Sequence, residues 1–427
     1  MARKMKDSGI EWIGEIPEGW TCKRGKQLFV ETNERSKTGS EELLTVSHLT
    51  GVTPRSQKNV NMFMSESLVD YKVCHPGDLA ANTMWMWQGA IGVSRFHGVI
   101  SPSYNTYRQR TINYIPEYLD YLLRIRPLVD TYNAYSTGIT LSRLRLYPQS
   151  FLSIHFIVSP MDEQQKIATY LDVECSRIDA MLAKTRDSIK EYKKLKQAVI
   201  TQAVTKGVRG EREMKDSGNP WFGQIPADWK LTRVGLHFSI ILGKMLCNAP
   251  LNDTYTLEPY YCAADVHFDG VADGERKKMC FSPIEKDLYR VSVGDLLVVE
   301  GGAGAGGSAI VENQDSDTYI QNSIMIVRSK GNADNRYLRY LLEFLIKQGY
   351  IDIVCNKATI PHFTKDKLSC VPFCLCPTGE QKEIADYLDA KCAEIDGLIA
   401  KKEQLVKELE SYKKSLIYEV VTGKREV

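Results

Sequence analysis

The side chains of this sequence best equipped for chemistry suit recognition more than bond breaking. Asn82 to Gly89 (NTMWMWQG) sets the amides of Asn82 and Gln88 and the indoles of Trp85 and Trp87 beside a glycine turn. Ser101 to Arg110 (SPSYNTYRQR) interleaves Tyr104, Asn105 and Tyr107 with Arg108 and Arg110. Ser136 to Arg145 (STGITLSRLR) joins hydroxyls, Thr140 among them, to Arg143 and Arg145. In the second half the candidates are cations: Lys244, the run Arg276-Lys277-Lys278, and Lys357, His362, Lys365 and Lys367 within KATIPHFTKDK. Asn322 stands 217 positions after Asn105 and joins the set. Amides, guanidinium groups and hydroxyls on loops are the groups that hydrogen-bond to nucleic-acid base edges and phosphates. For each residue taken singly the alternative stays open, with the aromatics in a core and the arginines on a solvated face.

Catalytic patterns are missing where they would be expected. Gly301 to Gly307 (GGAGAGG) resembles a nucleotide loop, but no Gly-Lys-Ser/Thr follows it. No Asn/Asp-Pro-Pro-Tyr/Phe tetrad of an adenine methyltransferase occurs, and none of the seven His sits in an HExxH pair. Asp269 with Glu275-Arg276-Lys277 only faintly imitates a nuclease carboxylate–lysine set. Cys370, Cys374 and Cys376 lie in an apolar, strand-like run without a second ligand cluster, so they read as small buried hydrophobes.

The elements that must position these groups are two long helices. Ser159 to Gly207 carries Ser159 as a cap, Pro160 at the first helical position, and Asp162 and Glu163 at the positive dipole end. Ile167, Leu171, Ile178, Leu182, Ile189, Tyr192, Val199 and Ala203 then recur at steps of three and four, a narrow seam for another helix. Gly207 ends the pattern as a C-terminal cap. At about 1.5 Å per residue the rod would be roughly 65 Å long. A shift of 217 positions superimposes it without a gap on a second rod beginning at Pro377, with seam residues Ile384, Leu388, Ile395, Ile399, Leu409 and Leu416. The shift also matches polar and sulfur positions, Asp172 with Asp389 and Cys175 with Cys392, which an apolar period alone would not align. This is an internal duplication.

Each repeat opens alike. Lys6-Asp7-Ser8-Gly9, Trp12, Gly14, Ile16-Pro17 and Trp20 return as Lys215-Asp216-Ser217-Gly218, Trp221, Gly223, Ile225-Pro226 and Trp229 at a shift of 209, so the second half gained eight residues before its helix. These openings read as compact turns packing their indoles, with an exposed binding motif as the alternative. The middle segments share Gly77-Asp78-Leu79 with Gly294-Asp295-Leu296, and the helix-like Tyr118–Leu123 with Tyr337–Leu342. Val291–Val293 and Ser323–Val327 read as strands. The expected fold is α+β: two mixed α/β domains separated by two long antiparallel coiled-coil helices, with a pseudo-two-fold internal repeat. The expected boundaries are 1–158, 159–208, 209–376 and 377–427, with 206–213 as a polar hinge. Two unlike domains on a duplicated strut would hold two readers at a set separation, as dimeric DNA readers do across two half-sites.

Composition agrees with an ordinary globular chain, 43% hydrophobic and 25% charged, with a formal net charge of +2. The length of 427 residues exceeds one core. Basic residues outnumber acidic ones over 21–161, the footprint of a phosphate contactor, whereas 230–379 is close to neutral. No apolar run reaches membrane-span length, the start MARKMKDSGIEW lacks a signal-peptide core, and the 11 scattered Cys fit a reducing compartment. A cytoplasmic protein without membrane contact is expected.

The echo of KDSGIEWIGEIPEGW in KDSGNPWFGQIPADW, and two helices of the form EQ…IA.YLD…C..ID ending in VTKG and VTGK, resemble the specificity subunits of type I restriction-modification systems over essentially the whole chain. The resemblance implies a non-catalytic subunit in which two target recognition domains each read one half of a bipartite, asymmetric sequence in double-stranded DNA. It implies that the helices set the spacing and dock two modification (methyltransferase) subunits, which restriction subunits then join. No cofactor is expected on this chain, with S-adenosylmethionine, ATP and Mg on the partners. A self-sufficient methyltransferase or nuclease, or a coiled-coil scaffold without DNA, is the rival reading.

Overall fold

The computed structural model describes residues 3–58, 67–140, 144–313, 317–355 and 361–427. Two compact units emerge, Met1–Arg186 with Glu403–Val427, and Asp187–Lys402. They are built on one plan. In the first, a four-stranded antiparallel sheet runs in the order Phe29–Thr32, Asn105–Gln109, Leu79–Ala81, Ile91–Val93. In the second the order is Phe238–Leu242, Ile324–Ser329, Leu296–Val299, Ser308–Ile310. A strand from each opening, Thr21–Arg24 or Lys230–Arg233, pairs antiparallel with the strand preceding each long helix, His155–Val158 or Pro372–Leu375. The expected strand at Val291–Val293 is instead a turn, because the Asp295 carboxylate accepts from Ser292 N at 2.8 Å and bends the chain into Leu296–Val299.

The units differ in what is added to this frame. The first carries a hairpin of Leu44–Ser47 with Gly51–Pro54, and the pair Lys72–Cys74 with Gly98–Ile100. The second carries Thr256–Tyr261 between Lys277–Phe281 and Tyr319–Ile320.

The long helices are Met161–Lys206, of 46 residues, and Thr378–Val421, of 44 residues. Each is divided between the units, after Arg186 and after Lys402, and within both units the two helix portions run antiparallel. In the first unit Asp179 pairs with Lys413 at 2.7 Å and Arg186 with Glu410 at 2.5 Å. In the second, Lys196 pairs with Asp396 at 2.6 Å, and Lys402 Nζ lies 5.6 Å from the centre of the Tyr192 ring. The seam follows the apolar period: Ile167, Leu171, Ile178, Leu182, Ile384, Leu388, Ile395, Ile399 and Leu416 are buried. Ile189, Tyr192, Val199 and Leu409 are half-buried. Each core therefore combines one sheet, one helix start and one helix end, removing apolar side chains from water at about 25 cal/mol per Å2.

The shared polar positions anchor helix to domain. Gln164 and Gln381 are both fully buried. The Gln164 amide donates to the carbonyls of Asn113 (2.8 Å) and Ser159 (2.9 Å) and accepts from Ile115 N (2.9 Å). Gln381 donates to Cys376 O (2.7 Å) and accepts from Asp334 N (2.9 Å). Asp172 accepts from the Tyr121 hydroxyl at 2.8 Å, and Asp389 from Tyr340 at 2.7 Å. A buried amide without partners is costly, so these residues fix where each helix sits on its domain.

The first helix starts at Met161, two residues beyond the expected Ser159 cap. Gly207, at φ +78°, closes its C-terminus by donating its N–H to Ala203 O at 3.0 Å. The expected hinge is pinned: Arg209 pairs with Glu383 at 2.7 Å, and Arg212 pairs with Asp228 at 2.8 Å and with the buried Glu380. Trp20 and Trp229 are fully buried. The openings are thus packed turns.

Candidate nucleic-acid interface

In both units the loop after the third strand of the frame meets the segment before the last short helix, and one hydrogen bond marks the meeting. Leu146 N donates to Thr83 O at 3.4 Å, and Phe363 N donates to Glu300 O at 2.6 Å. Both partners are related by the shift of 217. This edge gathers candidates that lie far apart in sequence.

In the first unit the loop is a tight turn. Asn82 N donates to Ala90 O and Trp85 N to Asn82 O, each at 2.9 Å, and Gly89 adopts φ +87°. Trp85 is 48% exposed and stacks on Trp87, with centroids 6.1 Å apart and planes 16° apart. Trp87 Nε1 donates to Met84 O at 3.0 Å, which satisfies its polar atom inside the loop and leaves the ring face to support Trp85. Gln88 is half-buried beside it. Opposite, Thr137 and Arg145 exchange backbone bonds of 3.0 Å. Met84, Thr137, Gly138, Ile139, Leu144, Arg145 and Tyr147 line an open groove of about 530 Å3. Thr140 is exposed beside it, and Arg143 lies outside the described residues.

In the second unit the glycine loop takes the equivalent place. Gly302 N donates to Pro361 O at 3.2 Å, and Gly301 bridges His362. Gly306 has φ +83°, and a Cβ there would lie 2.5 Å from Ile346. His362 and Lys365 are exposed, and Lys367 Nζ donates to His362 O at 2.7 Å. Lys357 lies outside the described residues.

Other candidates hold structure. Tyr107 is 1% exposed, with its ring 4.6 Å from Phe151. Alternation along its strand turns it inward. Arg108 makes a fork on the buried Asp78 at 2.7 and 2.8 Å, and Arg328 repeats that fork on Asp295 at 2.7 and 2.6 Å. Arg110 donates to the carbonyls of Lys26 (2.9 Å) and Phe29 (3.2 Å). Buried Asn82 donates to the Tyr104 hydroxyl at 2.8 Å. Burial raises the Tyr104 pKa, with Arg55 and Asn82 partly opposing. Asn105 accepts from Lys72 Nζ and donates to Thr83 Oγ1, both at 3.2 Å. Lys72 is itself buried, and desolvation lowers its pKa against the partial opposition of Glu31. Sequence reasoning missed Lys72, because a lone Lys in an alternating run carries no sign of its depth.

Lys244 is buried too, 2.5 Å from Glu285 and over the rings of Tyr255 (4.8 Å) and Phe281 (5.3 Å). Arg276 pairs with Asp265 at 3.3 Å and covers Tyr261 at 4.7 Å. Lys277 and Lys278 are exposed on their strand. Asn322 is half-buried and accepts from Gln321 at 2.6 Å. Cys374 and Cys376 are core residues and Cys370 is exposed, with burial pushing the Cys374 thiol up to about 12. Among the described residues no group of three or more His, Cys, Asp and Glu lies close enough to hold a metal ion. No described helix is long and apolar enough to cross a membrane.

Residues 252–408 match the family described as Type I restriction modification DNA specificity domain. The fold is similar to that of a chain in a structure addressing complex assembly and conformational transition of the type I R-M system. That match has a TM-score of 0.72 and 17% identity, and covers 95% of this chain and 98% of the other. It is also similar to the HsdS subunit from Thermoanaerobacter tengcongensis, at TM-score 0.55 and 17% identity, over 96% and 98% of the two chains. The second half thus carries a match to the type I restriction modification DNA specificity domain, the first half repeats the same frame, and the fold is similar to that of HsdS over almost the whole chain.

Proposed function

We propose that the two equivalent edges are the DNA-reading surfaces, each addressing one half of a bipartite, asymmetric target. The observation that supports this reading is the pairing of an unchanged frame with unlike loops. The Leu146–Thr83 and Phe363–Glu300 bonds hold the same junction, while one loop presents Trp85 and Gln88 and the other presents glycines beside His362 and Lys365. A constant scaffold with variable loops lets reading specificity differ without disturbing the fold. Phosphate contacts fall to exposed cations such as Arg145, Lys277, Lys278 and Lys365, and base edges to the loop side chains.

The long helices, 159–208 and 377–427 in our division, set the separation of the half-sites and dock two modification subunits. The recognition domains are 1–158 and 209–376. Restriction subunits join this core. S-adenosylmethionine, ATP and Mg belong to those partners, and this chain contributes binding and orientation alone. The test is methylation mapping by the assembled complex with Arg145→Ala and, separately, His362→Ala. Each variant should relax or lose its own half-site and leave the other unchanged. One contiguous protected block on DNA, or equal damage to both half-sites by either variant, refutes the reading.

A further inference from the structure

The two heads present opposite chemistry at equivalent positions. The shift of 217 places Met84 to Ala90 on Gly301 to Gly307. The second loop carries no side chain larger than a methyl group. The first carries a two-indole stack: Trp85, half exposed, lies on Trp87, whose nitrogen is already bonded within the loop. Beside it Met84 is 39% and Ile139 is 93% exposed, and Arg145 is the exposed cation in the same groove.

An exposed aromatic needs a reason, and a pre-stacked one is costly to hide by rotation. Trp87 stacks against Trp85, which still remains 48% exposed. Flat apolar side chains on a basic, DNA-facing surface act on nucleic acid in a known physical way. They enter a base step as a wedge, partly unstack it, and replace base–base stacking with base–ring stacking. Backbone loops without side chains cannot do this.

We propose that Trp85, braced by Trp87, wedges a base-pair step in the half-site read by the first domain, a distortion separate from the base extrusion that a methyltransferase performs in either half-site. Trp85 is the contacting residue and Trp87 the positioning residue. The inference rests on the edge of the first domain facing DNA, and its failure can be told apart from the failure of that reading.

The assay measures binding of the assembled complex with its methyltransferase subunits to duplexes carrying a single mismatch at successive steps of either half-site. A mismatch lowers the energy needed for unstacking, so, apart from mismatches at the bases the methyltransferase subunits extrude, wild type should bind tighter when it sits at one step of the first half-site and show no such gain in the second. Trp85→Ala should weaken binding roughly ten- to hundredfold, the range of a lost base–aromatic stack, and abolish the mismatch gain. Trp85→Phe should keep part of both, which guards against a loop that merely unfolds. Trp87→Ala should reduce the gain. A gain at that step of the first half-site that survives in Trp85→Ala overturns the wedge. So does loss of methyltransferase association by Trp85→Ala without DNA, which would make the stack a protein contact. If Arg145→Ala weakens the first half-site and Trp85→Ala does not, the wedge fails and the reading surface stands. If neither does, the surface itself is wrong.

Discussion

Replacing Gln164 by Leu tests whether the repeated glutamine truly ties helix to domain. Leu approximates the volume but removes every polar atom, leaving the carbonyls of Asn113 and Ser159 and the N–H of Ile115 without the partner that the fully buried Gln164 supplied. Each orphaned buried group costs about 1–3 kcal/mol, so three of them weaken the local structure by about 3–9 kcal/mol. The effect should be read at Ile115 and the helix it leads into, Pro116–Leu122. At about 1.4 kcal/mol per tenfold, the lower limit of 3 kcal/mol accelerates amide exchange there by roughly a hundredfold. Hydrogen exchange with mass spectrometry resolves this. Gln381→Leu is the matched control, orphaning Cys376 O and Asp334 N, and its acceleration should fall on 334–342 instead. Unchanged exchange at Ile115 in Gln164→Leu, or equal acceleration in both regions for either variant, would show that the anchor reasoning is wrong.

Arg108→Met should cost about 2–3 kcal/mol by stranding the carboxylate of Asp78, which is 2% exposed, yet leave the methylated sequence unaltered. A changed motif at normal stability would return Arg108 to the reading surface. Gly423→Ala puts a Cβ 2.5 Å from Pro17 at φ +72°, so unfolding of the first unit should begin at a lower temperature, by about 1–3 kcal/mol; an unshifted melt contradicts this. The Glu285 carboxyl lies below its ordinary value: burial raises it, but bonds from Lys244 and Ser282 outweigh that and lower it. A depressed carboxylate stabilises the fold above its unfolded value near 4.5, and that contribution is lost as pH falls through the folded value. Glu285→Gln should therefore flatten the acid limb of stability of the second domain below that pH, and an acid limb as steep as wild type would refute the pairing.

The duplication, the helix seam and the α+β class were legible in the chain because they rest on periodicity and on matched positions, which are properties of order along the sequence. Ile167, Leu171, Ile384 and Leu388 lie buried where spacing put them. The shared Asp and Gln were visible as coincidences, but their purpose was not. Tyr121 meets Asp172 across 51 positions, and no local pattern encodes that.

The site was legible only in outline. Asn82–Gly89 and Ser136–Arg145 were chosen for their residue types, and folding brings them to one groove. Tyr107 and Lys244 have the same residue types yet are buried, and Arg108, exposed along its own side chain, is tied to the buried Asp78. Whether an arginine faces solvent or a buried carboxylate depends on which face of a strand it occupies and what stands opposite. Tertiary structure alone decides that, because the partner, Asp78 or Asp295, comes from the turn that leads into another strand of the sheet. Sequence order thus set which segments are equivalent and which are helical. Folding in three dimensions chose which polar groups remain free at the candidate surface, since a hydrogen bond satisfied inside the protein is one that cannot be offered outside.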